Sequence, residues 1–268
     1  MPRDAPQYGA SAPFVPYTTN EQGRGPAWGN SLFEDNAEFG LGMYVATSQR
    51  RKKLAADVKE ILRLHKKGDA LLSEELKAAL TDWEQGFQDA DTCERTTNII
   101  LPALEEVSKS LTSLTKHAQQ VWQSILIASD IFIKVSQWIV GGDGWAYDIG
   151  FGGLDHILAS GENVNVVVLD TEMYSNTGGQ KSKSTPMSSV AKFAAGGKDL
   201  PKKDLGQIAM SYGEVYVASV CLGGNFNQCV KAFTEAEKFH GVSLILCYSP
   251  CIEFGIRQGM SQMVNEGK

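Results

Sequence analysis

Four short runs of β-branched and other apolar residues punctuate the second half of the chain: Val135–Val140, Val164–Leu169, Val215–Val220 and Val242–Cys247. Such near-continuous runs suit strands buried on both faces of a parallel sheet. Helical spacing of apolar positions fills the gaps at about 146–159, 203–212 and 226–239. Strand, helix, strand, a long polar loop, then alternating helix and strand predict an α/β fold with a doubly wound, mainly parallel sheet.

The first half reads differently. Residues 1–29 are rich in Gly, Pro and small polar residues and are expected to be extended or looped. A helix is predicted from Asn30 or Ser31, with Glu34 and Asp35 in its first turn, where negative charge suits the helix dipole. Leu32, Phe33, Phe39, Leu41 and Met43 are expected to be buried, with Gly40 and Gly42 packed closely against another element. A basic stretch, Arg50 to Lys53, leads into a helical run over Leu54–Leu64. From Ser73, a plausible helix start, to about Asp130 nearly everything is amphipathic helix, and Pro102 is read as opening a helix. The expected organisation is one domain over 1–268, with 54–130 a helical insertion or cap and 131–260 the α/β core.

The candidate chemistry lies at one turn of this pattern. Gly142-Asp143-Gly144 follows the first apolar run and precedes a helix, and the second run ends in the polar loop Thr171–Asn176. Alone, the tripeptide is more often a surface turn than a site. In a βαβ unit, however, the C-terminal ends of both strands lie at one edge of the sheet. Asp143 and the Thr171–Asn176 loop are therefore expected to converge. A carboxylate, a hydroxyl and loop carbonyls form a hard oxygen set suited to Mg²⁺ carrying a diphosphate.

Composition adds limits. Lys plus Arg number 25 against 31 Asp plus Glu, a net charge of −6, without the basic footprint of a nucleic-acid binder. No apolar run reaches the ~20 residues that cross a bilayer. The N-terminal residues lack the apolar stretch of a secretory signal, so the expected compartment is cytoplasmic, with no membrane partner. Five cysteines at 93, 221, 229, 247 and 251 have no framework spacing, which agrees with a reducing compartment. Cys93, Cys221, Cys229 and Cys247 are expected at small buried positions, while His65, His117 and His240 read as surface residues.

Several strings carry a more specific resemblance. They are Gly-Gly-Asp-Gly-Trp-Ala-Tyr-Asp-Ile-Gly at 141–150, Asp-Thr-Glu-Met-Tyr-Ser-Asn-Thr-Gly-Gly-Gln at 170–180 and Pro-Tyr-Thr-Thr-Asn at 16–20. Gly-Pro-Ala-Trp-Gly-Asn-Ser-Leu-Phe-Glu-Asp-Asn-Ala-Glu at 25–38 and Ala-Lys-Phe-Ala-Ala-Gly-Gly-Lys at 191–198 extend them. Together these strings resemble the thiamine diphosphate-binding domain of the pyruvate:ferredoxin (flavodoxin) oxidoreductases. The likeness runs from about residue 10 to about 260, with the helical middle weakest. It corresponds to one domain of a much longer enzyme, which implies a fragment or a split subunit, incomplete by itself.

The resemblance implies thiamine diphosphate and Mg²⁺ as cofactors. Asp143, Thr171 and the Met173 carbonyl would hold the metal. Gly142, Asp143, Gly144 and Trp145, with Thr171, Glu172, Met173, Tyr174, Ser175 and Asn176, would bind the cofactor. Asn176 would serve catalysis at the reacting carbon; its plainer reading is a loop Asn in the left-handed region. Cys251 would ligate a 4Fe–4S cluster only if partner cysteines are supplied, because the family's earlier ligand cysteines have no counterpart before Cys93. The implied reaction is oxidative decarboxylation of pyruvate to acetyl-coenzyme A, with electrons passing through iron–sulfur clusters to ferredoxin or flavodoxin. A homodimer, or assembly with the missing domains, is expected. The alternatives are another 2-oxoacid oxidoreductase, an NADP-linked form, or a non-catalytic remnant keeping the fold.

Overall fold

A computed structural model of the chain describes residues 37–70 and 72–254. The expected loop over 1–29, the start of the first helix, Leu32, Phe33, Glu34 and Asp35 lie outside the described residues. The chain divides into two compact units, one formed by 42–136 and the other by 1–41 with 137–268.

The helical unit contains most of α1 (Ala37–Lys67), then α2 (Glu74–Gly86), α3 (Ala90–Ser110) and α4 (Lys116–Ile127). Its helices start at side-chain caps that accept otherwise orphaned backbone N–H groups. Ser73 caps Leu76, Asp89 caps Thr92 and Thr115 caps Ala118. Leu54, Val58 and Ile61 of α1 repeat at three- and four-residue steps and are fully buried, in one core with Leu80, Trp83, Ile100, Trp122 and Phe132. The buried Arg51 guanidinium donates to the carbonyls of Phe87, Ile131 and Ile133, so its charge is spent on loop backbone.

Four expectations change here. α1 runs without a break through the basic stretch Arg50–Lys53, because alternate faces of that stretch serve core and solvent. Phe39 and Met43 are more than one-third exposed, at 39% and 37%, rather than buried. Gly40 does pack closely, since a Cβ there would stand 2.5 Å from Ile139 Cγ1, but nothing lies within 4 Å of a Cβ at Gly42. Pro102 also sits well inside α3 instead of opening it. It and Asn98, whose carbonyl loses its donor, are both exposed, so water can take that carbonyl while Cys93, Thr96, Ile100 and Leu104 anchor the helix on its buried side.

The other unit holds a parallel four-stranded sheet in the order β1-β2-β4-β3, from β1 (Trp138–Gly142), β2 (Asn165–Asp170), β3 (Val215–Cys221) and β4 (Val242–Tyr248). β2 and β4 are central and the most buried, as their uninterrupted apolar runs require. β1 starts three residues later than its β-branched run, because pairing of Trp138 with Asn165 sets its beginning and leaves Val135 55% exposed. A π-turn (Gly144–Ile149) and α5 (Phe151–Leu158) connect β1 to β2. After β2 the chain crosses a long loop to α6 (Leu205–Met210) and the far edge strand β3, then returns through α7 (Phe226–Lys238) to β4. Among the described residues no helix is long and apolar enough to cross a membrane.

Candidate functional site

Neighbouring parallel strands end together at one edge of the sheet, where open α/β sheets place their ligands. β1 brings Asp143 there and β2 brings Asp170 and Thr171. β4 leads to Cys251 and is tied to β2 by a Ser249 N–H donating to the Asp170 carbonyl at 3.0 Å.

Asp143 is only 2% exposed. Its Oδ1 accepts from Thr171 Oγ1 at 2.7 Å and its Oδ2 from Ser182 Oγ at 2.8 Å. Thr171 Oγ1 also lies 2.9 Å from the Met173 carbonyl and accepts from Ser175 Oγ at 2.8 Å. Its single hydrogen serves one of the two acceptors at a time. Asp143, Thr171 and Met173 thus bring a carboxylate, a hydroxyl and a carbonyl to one point, the donor set a hard divalent cation takes.

Among the described residues, the side chains that hydrogen-bond Asp143 are hydroxyls, and none is cationic. Burial therefore pushes its carboxyl up to about 6, against the lowering effect of the Thr171 and Ser182 hydrogen bonds, and nearby Asp170 adds to the rise. A carboxylate buried without a counter-charge is a group that a bound cation would relieve. No cluster of three or more His, Cys, Asp or Glu able to hold a metal occurs among the described residues. A cation at Asp143 would accordingly complete its shell with phosphate or water oxygens, as Mg²⁺ commonly does.

The adjacent carboxylate, Asp170, is also buried but has different company. Its Oδ1 accepts from the Ser184 hydroxyl and, at 3.3 Å, from the Glu172 N–H. Its Oδ2 accepts from the Tyr147 hydroxyl at 3.0 Å and from the Lys202 ammonium at 2.6 Å. Burial alone would lower the Lys202 ammonium, but Asp170 and Glu172 outweigh it and hold it above its ordinary range. Burial and Asp170 together drive the Tyr147 phenol far above its usual value. Glu172 itself has φ 62°, a left-handed conformation costing a non-glycine residue about 1–2 kcal/mol.

The loop residues fall into place around these two carboxylates. The Tyr174 ring lies against Gly144, where a Cβ would stand 2.3 Å from Tyr174 Cε1, and its hydroxyl donates to the Gly144 carbonyl at 3.4 Å. Trp145 is buried, its ring between Gly141 and Gly150. Nothing stands within 4 Å of a Cβ at Gly142, so that strand end is open. Ser175 links Thr171 to the buried Cys251, lying 3.1 Å from its sulfur. Asn176 is exposed, and the left-handed position of this loop is Glu172 rather than Asn176. Of the remaining cysteines, Cys93 and Cys229 are buried, whereas Cys221, the last residue of β3, and Cys247, one residue before the end of β4, are only partly so.

Ser182, Asp170, Tyr147, Ser184 and Lys202 were not singled out by sequence reasoning. One signal was present: in Lys181-Ser182-Lys183-Ser184 the serines are buried and the lysines exposed. That alternation turns the serines inward, although Lys183 and Ser184 lie in a turn that the Thr185 N–H closes on the Ser182 carbonyl at 3.3 Å.

Comparison with known proteins bears on this arrangement. Residues 131–247 match the family model described as thiamine pyrophosphate enzyme, C-terminal TPP binding domain. Pyruvate:ferredoxin oxidoreductase from Moorella thermoacetica is 52% identical over 95% of this chain and 21% of its own length. Pyruvate-flavodoxin oxidoreductase from Klebsiella pneumoniae is 49% identical over 97% of this chain and 21% of its own. The mitochondrial NADP(+) pyruvate dehydrogenase of Euglena gracilis is 52% identical over 97% of this chain and 14% of its own. The chain therefore spans about a fifth or less of the length of these relatives. Over that stretch it is homologous to the pyruvate:ferredoxin and pyruvate-flavodoxin oxidoreductases, and its residues 131–247 correspond to the C-terminal TPP binding domain of the thiamine pyrophosphate enzymes.

Proposed function

We propose that this chain supplies the thiamine diphosphate and Mg²⁺ site of a pyruvate:ferredoxin oxidoreductase and needs further protein to complete catalysis. The observation that carries the proposal is the contrast between two buried carboxylates: Asp170 has the Lys202 ammonium, while the side-chain partners of Asp143 are hydroxyls. Asp143, Thr171 and the Met173 carbonyl would hold Mg²⁺. The open Gly142 end and the Tyr174–Asn176 loop would take the diphosphate, with the protein's backbone N–H groups and the metal neutralising its charge.

Bound thiamine diphosphate supplies the electron sink for decarboxylating a 2-oxo acid. The chain's own part is to seat that group and keep Asp143 out of water. The exposed Asn176 amide would donate a hydrogen bond to the oxygen of a bound oxo acid. Cys251 would join a 4Fe–4S cluster with cysteines from elsewhere. Pyruvate, coenzyme A, and ferredoxin or flavodoxin are the proposed substrates and partners, in a homodimer or a larger assembly. We further assign 131–260 as the cofactor-binding core and 54–130 as a helical insertion. The cytoplasm is the proposed compartment, supported by five free cysteines.

The identity to an NADP(+) pyruvate dehydrogenase supports a second reading, in which the complete enzyme passes electrons to NADP⁺. Supplying the complete enzyme with each acceptor separates the two. The cofactor site itself is tested by calorimetric titration of thiamine diphosphate with Mg²⁺ into the chain. Saturable, Mg²⁺-dependent binding that Asp143→Ala abolishes is expected. Absence of binding by the unmodified chain would overturn a site sufficient in itself.

A further inference from the structure

Lys202 lies outside the motif that carries the family resemblance, yet it reaches the turn between two proposed metal ligands. Its ammonium stands 2.6 Å from Asp170 Oδ2 and 3.0 Å from Glu172 Oε1. These two carboxylates flank Thr171, and Glu172 immediately precedes Met173. Glu172 is held at three points: its N–H donates to Asp170 Oδ1 at 3.3 Å, its carbonyl accepts from Thr185 Oγ1 at 2.5 Å, and its carboxylate takes Lys202. That clamp coincides with the left-handed φ of 62° at Glu172. A residue of this type leaves that conformation unless its surroundings hold it there. The left-handed step turns the chain between Thr171 and Met173, and so brings the Met173 carbonyl to within 2.9 Å of the Thr171 hydroxyl.

We propose that Lys202 is a positioning residue for the metal site: by bridging Asp170 and Glu172 it locks the backbone turn that presents the Thr171 hydroxyl and the Met173 carbonyl to a divalent cation beside Asp143. The inference rests on the proposed cofactor reading. It also gives Lys202 a second effect, because its charge satisfies Asp170 and leaves Asp143 as the carboxylate open to the cation. Outer partners of metal ligands commonly govern affinity in this way.

The two roles a lysine can play near a cation predict opposite signs. A lysine acting only as a nearby positive charge repels Mg²⁺, so removing it strengthens binding. A lysine that positions ligands weakens binding when removed. The test is calorimetric titration of Mg²⁺ into the full chain with thiamine diphosphate in excess, with circular dichroism on each variant. Lys202→Met is expected to weaken Mg²⁺ binding by about 10- to 100-fold, and Lys202→Arg, which can still bridge two carboxylates, to restore most of it. Unchanged or tighter binding by folded Lys202→Met overturns the proposal. If Lys202→Met does not fold, Glu172→Met carries the test: it keeps the Lys202–Asp170 pair and removes the acceptor by which Lys202 holds the turn. Weaker Mg²⁺ binding by that variant supports positioning, and unchanged binding overturns it. Failure of the unmodified chain to bind overturns a cofactor site sufficient in itself and this inference together. Normal binding by the unmodified chain with unaltered binding by the variants removes the inference alone.

Discussion

Ser182 donates its hydroxyl hydrogen to Asp143 Oδ2 at 2.8 Å, across 39 positions of chain. The same Ser182 oxygen accepts the Ser184 N–H at 3.0 Å, which orients the hydroxyl toward the carboxylate. Ser182→Ala leaves a buried carboxylate oxygen without its donor and should cost about 1–3 kcal/mol of stability. A hydroxyl donor favours the charged form, so the loss should be larger at neutral pH than near pH 5. Urea unfolding at both values checks this, and an equal loss at both would count against a bond to the ionised carboxylate.

The raised Asp143 carboxyl gives a signed pH dependence. Its value moves from 3.8 in the unfolded chain to about 6 in the folded one, so the folded chain holds more protons between those limits. Stability from this group is fully present below the lower value and is lost as pH rises to the upper one, by about 3 kcal/mol. Asp143→Asn should remove that slope. Added Mg²⁺ with thiamine diphosphate should stabilise progressively more as pH rises through the same window and level off above it, since the cation competes with a proton. Thermal unfolding across this range, with and without the ligands, reads both effects.

Gly144→Ala would drive a methyl group into the Tyr174 ring at 2.3 Å. Either the ring or the π-turn must move, at about 1–3 kcal/mol. Tyr174→Ala should recover part of that loss when combined with it. A double-mutant cycle by denaturant unfolding should show favourable coupling, whereas additive losses would mean that the two residues do not press on one another.

Pro102 leaves the exposed Asn98 carbonyl without a helical donor. Pro102→Ala restores that N–H and removes the ring's clash, against a gain in freedom of the unfolded chain. A net stabilisation of about 1–2 kcal/mol is expected. A fall in the urea midpoint would show that proline's restriction of the unfolded chain dominates.

The central strands were legible because burial on both faces leaves little room for polar residues over Val166–Val168 or at Leu244 and Ile245. The edges were less so. β1 takes its start from pairing with Asn165, which no local pattern announces. Asp143 and the Thr171–Asn176 loop do meet, because the parallel pairing of β1 and β2 puts their ends side by side. Ser182 and Lys202 stayed hidden for another reason: both arrive through the long loop after β2, where neither the helical nor the strand period holds for long. Pro102 was misread because a proline rule describes an isolated helix, while α3 is held by the residues it buries on either side.

The π-turn between Asp143 and α5 closes a wide ring, with the Gly150 N–H donating to the Trp145 carbonyl at 2.8 Å. Such a turn amounts to one extra residue threaded into a helix. Deleting Trp145 or Ala146 would close this ring to ordinary winding and shift the residues that follow round the turn relative to Asp143. Tyr147, which reaches Asp170, and Asp148, which accepts from the Lys183 N–H, would then lose their bearings on Asp143 together. The spelling of this turn tolerates some change; its letter count does not.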